Sequence, residues 1–169
     1  MSVDVLHLAE LGRECVAELA ARYGVRLVDV ADARPIPGSY WGAPEAGLKG
    51  AQLYGRADTP VHSLLHELSH YVCMNEARRL ALDTDAGGSD DEECAVCYLQ
   101  LVLADGLTGF GRLRCLRDMD AWGYSFREGS AAAWFAGDGQ AARAWLLQRG
   151  LIDAQGAPTW TLRGAAAAA

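Results

Sequence analysis

The chain lacks any apolar run long enough to span a bilayer, which excludes a transmembrane helix. It also lacks a basic stretch leading into an apolar one near its start, where Asp4, Glu10, Arg13 and Glu14 interrupt the hydrophobic residues. No membrane partner and a cytoplasmic location are therefore expected. Positive charge is in short supply. The 15 Lys and Arg against 22 Asp and Glu leave a net charge of −7 and a pI near 5.0, which argues against nucleic acid held by charge. Arg112, Arg114 and Arg117 form a local basic triplet, expected on a solvated loop or helix face. Cysteine is odd in number at 5 (Cys15, Cys73, Cys94, Cys97 and Cys115), so reduced thiols are expected rather than a disulfide framework. There is no internal repeat, no glycine-rich phosphate loop after a strand, and no serine or cysteine nucleophile with a histidine of its own.

What is present suits one ordinary globular domain. The 169 residues are 51% hydrophobic and 22% charged, enough to bury a core. The domain is taken as residues 1–164, with 165–169 a low-complexity alanine tail. Apolar residues at helical spacing predict one amphipathic helix over 2–23, stopped by Gly24, and β-branched residues predict a strand over 25–30. Residues 31–44 read as an irregular loop with Tyr40 and Trp41 packed beside it, and 47–56 as a strand. Helices are expected over 92–103, 131–135 and 140–149, with a capping box at Ser125 and Glu128 and a hairpin or winding tail over 151–162. The acidic loop 83–91 matches a Ca²⁺ loop at only three positions, Asp83, Asp85 and Gly88. It is read as a solvated connector.

One stretch carries chemistry. His66-Glu67-Leu68-Ser69-His70 spells H-E-x-x-H, and three of the chain's 4 histidines fall in this segment. Thr59 is a natural N-cap and Pro60 a natural first residue, and Val61, Leu64, Leu65, Leu68 and Val72 supply the apolar face of a helix. On that helix the histidines stand about 6 Å apart along the axis, on one face. Both can reach one Zn²⁺, and Glu67 between them can take a proton from an attacking water.

Residues 61–73 resemble the active-site helix of the zincin metallopeptidases, and most resemble the small intracellular ones of the ImmA/IrrE type. The resemblance extends over residues 47–104. It implies an α+β, zincin-like fold, with a small sheet packed on the metal-binding helix and further helices C-terminal to it. It implies hydrolysis of a peptide or protein substrate, and a strand before the motif helix that pairs with extended peptide. The family's E-x-x-A segment falls on Glu92 and Ala95. A polar residue commonly stands four positions after the ligand glutamate; here that position is Val96.

A catalytic zinc needs a third protein ligand. His62 lies about 12 Å from His70 along the axis, too far for one ion to serve both with His66, so His62 is expected at the cleft mouth. Glu92 and Glu93 are the better candidates. Helical phase puts Glu92 with Ala95, Val96 and Leu99, the face that packs inward, and Glu93 with Cys97 and Gln100. Glu92 is favoured and Glu93 is the alternative. A capping box with Ser89 is the competing role for Glu92. His62, Tyr98 and Tyr124 are the candidates for substrate or oxyanion contact. Cys94 and Cys97 are read as small buried hydrophobes rather than a redox pair, and Cys73 as at most an adventitious ligand. The expected chemistry is zinc-assisted peptide hydrolysis with Glu67 as general base. The competing readings are a zincin-like binding or regulatory protein without hydrolysis and, last, a thiol protein.

Overall fold

A computed structural model describes residues 3–165. The alanines at 166–169 lie outside the described residues. So do residues 1–2, with which the expected first helix begins. The architecture is mixed α+β: among the described residues, three strands and eight helices.

The N-terminal segment is not one helix. Gly12 adopts φ 99°, a conformation that side chains rarely tolerate, and divides the segment into α1 (Leu8–Leu11) and α2 (Arg13–Ala21). Strand β1 (Arg26–Asp29) follows as expected. The stretch 47–56 is a hairpin rather than one strand. Gly50, at φ 54°, makes the turn between β2 (Gly47–Lys49) and β3 (Gln52–Gly55). The sheet order is β1-β3-β2, with β1 parallel and β2 antiparallel to β3. The strand before the motif helix is therefore central. The outer edge of β2 is also occupied: Leu48 N donates to Gly38 O, Thr84 N to Leu48 O, and Gly50 N to Leu82 O. The edge on which peptide addition was expected has no free ladder over these residues.

The motif helix is α3 (Val61–Cys73). It starts one residue later than its signals suggest, with Pro60 at the cap. Thr59 Oγ1 instead accepts from Arg56 N at 2.8 Å, and Val61 N donates to Leu6 O at 2.9 Å. Val61, Leu64, Leu65, Leu68 and Val72 are fully buried, packing α3 against β2, β3 and α5 (Asp90–Ala104). Between them comes α4 (Glu76–Leu80). Then α6 (Gly111–Trp122), which the sequence pattern does not announce, α7 (Ala131–Ala136) and α8 (Gly139–Gln148) wrap α5. The cap of α7 is Ser130, whose Oγ accepts from Ala133 N, rather than a box at Ser125. Residues 151–162 form a turn with one bridge, Ile152 to Pro158. The basic triplet falls on α6, where Arg112 pairs with Asp105 and Arg114 with the buried Asp118. No described helix is long and apolar enough to cross a membrane.

Gly47 is where backbone meets backbone. A Cβ there would lie 1.8 Å from Pro37 O and 2.7 Å from Ser39 N. Gly47→Ala should push the 36–39 loop off β2 and cost about 1–3 kcal/mol, the range for overpacking. Urea unfolding would show a lowered midpoint; an unshifted midpoint would mean that this approach is not needed.

Candidate metal centre

Helices α3 and α5 bring three side chains together. His66 Nε2 lies 3.1 Å from Glu93 Oε1, His70 Nε2 lies 3.3 Å from Glu93 Oε2, and the two Nε2 atoms are 3.2 Å apart. These ligand atoms all lie within 4.8 Å of one another, so the three residues could hold a metal ion.

The acid is Glu93, which corrects the expectation for Glu92. Glu92 does point inward, at 4% exposure, but its oxygens accept from Arg78 Nη1 at 2.8 Å and from Arg163 Nη1 at 3.2 Å. The inward face at the start of α5 meets the C-terminal segment, not the histidines. Ser89 caps α5 by accepting from Glu92 N at 3.3 Å.

The donor set suits a cation. Burial disfavours charge on both histidines. At His70 burial wins and the pKa falls to about 4. At His66 the opposing influence of Tyr124, Cys97 and the Glu93 carboxylate outweighs it, and the pKa stands well above its usual value. A metal ion there would face the Glu93 carboxylate and compete with protons for the imidazole nitrogens.

Gln100 orients His66. A backbone carbonyl only accepts, so the Gln100 nitrogen must be the atom 2.7 Å from His62 O. Its Oε1 then lies 3.1 Å from His66 Nδ1 and accepts its proton. His66 Nδ1 is therefore the N–H, and Nε2 is the nitrogen aimed at Glu93 and His70. Gln100 does for His66 what the polar residue absent at Val96 was expected to do. The readable signal was phase: Glu93, Cys97 and Gln100 recur at i, i+4 and i+7, a polar face on a helix otherwise buried. His70 Nδ1 is buried with no hydrogen-bond partner among the described residues.

Glu67 is half-buried and lines a cleft of about 630 Å³ that also includes His66, His70, Glu93, Cys97 and Trp122. Burial, with Glu93 and Glu45 nearby, raises its pKa to about 7 against the pull of His66. Tyr40 and Trp41 stand on the cleft wall, 59% and 79% exposed. The loop 83–91 is more than a solvated connector, because Thr84, Asp85, Ala86 and Gly87 line the same cleft. Arg78 Nη2 holds that wall by donating to the carbonyls of Ala86 and Gly87.

His62 and Tyr98 fall away from the cleft. His62 is fully buried behind the centre, not at the mouth. Its ring lies 5.4 Å from Trp122, and burial lowers its pKa to about 3. Tyr98 is buried against Phe135, rings stacked at 4.5 Å, in the α5–α7 packing. Tyr124 does line the cleft, but its hydroxyl is 3.3 Å from both His62 Nδ1 and Gln100 Nε2. Cys97 is buried as expected, whereas Cys94 is exposed and Cys73 is buried outside the cluster.

No family model, curated protein or solved structure matches the chain. The side chains themselves must carry the functional reading.

The two adjacent glutamates should separate cleanly. Glu93→Ala removes one of three ligands, and Zn²⁺ affinity should fall by orders of magnitude in competition with a chromophoric chelator. Glu92→Ala leaves two guanidiniums without their carboxylate and should cost about 3 kcal/mol of stability, the low end for broken buried pairs because both guanidiniums reach solvent. Equal metal affinity in the two variants would remove Glu93 from the centre. Gln100→Leu should weaken Zn²⁺ about 10–100-fold, the usual effect of losing a residue that orients a ligand. Gln100→Glu keeps the acceptor for His66 but loses the donor to His62 O. It should retain most of the metal affinity at lower thermal stability.

Proposed function

We propose that the chain is a zinc-dependent peptidase with a zincin-like arrangement, in which His66, His70 and Glu93 hold Zn²⁺ and Glu67 is the general base. The observation that carries this reading is the convergence of two imidazole nitrogens and a carboxylate beside a cleft into which a fourth group, Glu67, also faces. Nitrogen and oxygen donors in a three-residue set with one open side suit catalytic zinc.

The metal, when bound, supplies Lewis acidity for attack of water on a carbonyl. The chain's own residues do the rest. Glu67, with a pKa raised to about 7 in the metal-free site, has a carboxylate that can accept a proton from the attacking water and return it to the leaving amine. A cation nearby favours its ionised form and so favours the base. Gln100 keeps the lone pair of His66 directed at the centre. Half-buried Trp122 and Tyr124 and residues 84–87 line the cleft beside these groups.

A zincin-like metal-binding protein without hydrolysis is the second reading. The observation that favours it is the engagement of the Tyr124 hydroxyl, with Tyr98 out of reach, which leaves neither tyrosine free to stabilise an oxyanion. Glu67→Gln separates the two readings. On the peptidase reading the variant binds about one Zn²⁺ per chain, as native protein does, and loses hydrolysis of a quenched fluorescent peptide library by at least about 10²-fold. Loss of metal in this variant would make Glu67 a ligand or a structural group. Hydrolysis absent from native protein carrying its zinc would favour the binding module.

A further inference from the structure

Two neighbouring aromatic side chains, Tyr40 and Trp41, stand in solvent beside the metal centre. Their rings meet edge to face, 85° apart with centroids 5.0 Å apart. Among the described residues no other ring and no guanidinium stacks on either. The loop that carries them is nonetheless braced on both sides. Before the pair, Gly38 O accepts from Leu48 N of β2 at 3.3 Å. After it, Glu45 Oε1 accepts from Trp122 Nε1 at 2.7 Å, and Ala46 N donates to the Ser63 Oγ of α3 at 2.9 Å, in a buried contact. A loop tied to β2, α3 and the end of α6 loses little freedom when a ligand covers its rings.

The place of the pair says what that ligand is. Tyr40 and Trp41 line the same cleft of about 630 Å³ as His66, Glu67, His70 and Glu93, so whatever covers the rings shares one space with the centre. The remaining charged groups of the walls already accept donors from the chain itself: Glu45 from Trp122 Nε1, and Asp85 from Gly87 N at 2.9 Å. The walls contain no lysine or arginine to hold an acidic group. What they offer without an internal partner is ring surface. Rings set nearly at right angles make a corner rather than a flat patch, and a large apolar side chain can fill it on two sides. Tyrosine and tryptophan are also the residues that most often anchor a partner by burial.

We infer that Tyr40 and Trp41 form a side-chain subsite for a large apolar residue, aromatic before aliphatic, in the peptide whose backbone lies at the metal. This rests on the peptidase reading proposed above and names its substrate class. Glu45 and Asp85, of the same sign as an acidic residue, disfavour one at that position.

The test keeps the subsite and the peptidase reading apart. End-blocked, fluorescently labelled alanine–serine peptides carry one variable residue (phenylalanine, leucine, alanine, lysine or glutamate), moved stepwise along the chain. They are bound to zinc-loaded Glu67→Gln protein, read by anisotropy, and offered for cleavage to native protein. At one position phenylalanine should bind about tenfold more tightly than alanine, the ratio that half-burial of its side chain and one ring contact supply. Leucine should fall between them, lysine near alanine, and glutamate lowest. Tyr40→Ala/Trp41→Ala should bring the phenylalanine peptide down to the alanine affinity. Both rings are exposed, so zinc content and melting temperature should stay as they were. Trp41→Phe should keep most of the preference, because ring surface is what binds. No preference for phenylalanine at any position, a preference that survives the double variant, or lysine bound as tightly as phenylalanine overturns the inference. Cleavage by native protein that is indifferent to the variable residue also overturns it, and leaves peptide hydrolysis standing. A phenylalanine preference in binding that the double variant abolishes, with no cleavage by zinc-loaded native protein, upholds the subsite and removes the peptidase reading.

Discussion

Helix α5 is buried along most of its length, and that burial forces its polar side chains to find partners inside the molecule. Three of them, Glu92, Glu93 and Gln100, each meet a different neighbour. Glu92 takes the guanidiniums of Arg78 and Arg163, Glu93 takes the two histidines of α3, and Gln100 takes the carbonyl of His62 and the ring of His66. The contacts on α3 are therefore consequences of one helix packing. If α5 slid by a turn along α3, the amide would lose His62 O and the carboxylate would lose the imidazoles together.

The ion pairs around Glu92 have their own part in this. Arg163 comes from the C-terminal segment, whose backbone also donates from Arg163 N to Val72 O at the end of α3. Arg78 ties the same carboxylate to the 84–87 wall of the cleft. A single buried acid thus holds the start of α5, the end of α3 and one cleft wall at once. One residue further on, Glu93 is presented to the histidines from a helix end tied by these pairs and by the Ser89 cap.

Much of this was readable without coordinates, and the misses have physical causes. Two histidines and a glutamate at fixed helical spacing lie on one element, so local periodicity is enough to place them. The strand at 26–29 and the helices at 90–104 and 139–148 are likewise local, with a cap at Ser89 and stops at Gly106 and Gly150. The third ligand depends on which helix face meets which neighbour. Apolar phase alone points the Glu92 face of α5 at the metal. A helix wrapped on several sides has more than one inward face, and the mixed one at Glu93, Cys97 and Gln100 is the one that meets α3. Glycine misled twice by position. Gly12 broke a helix that the apolar spacing continued through, and Gly50 turned one expected strand into two. The cleft walls from residues 84–87 and from Trp122 to Phe126 are tertiary, and no local pattern announces them.

The covering of β2 has a chemical corollary. Sheet addition recognises a peptide by its backbone and is tolerant of its side chains. Here Leu48 and Gly50 already exchange backbone hydrogen bonds with Gly38, Leu82 and Thr84, so that mode has no free edge at β2. On the proposed reading, a peptide in the cleft would meet side chains instead: aromatic rings at Tyr40, Trp41, Trp122 and Phe126, and carboxylates at Glu45 and Asp85. Charge and ring contacts distinguish one residue from another, and charge acts over a longer range than a hydrogen-bond ladder. On the proposed reading, the loop that closes the sheet edge therefore moves selectivity from the backbone to the side chains.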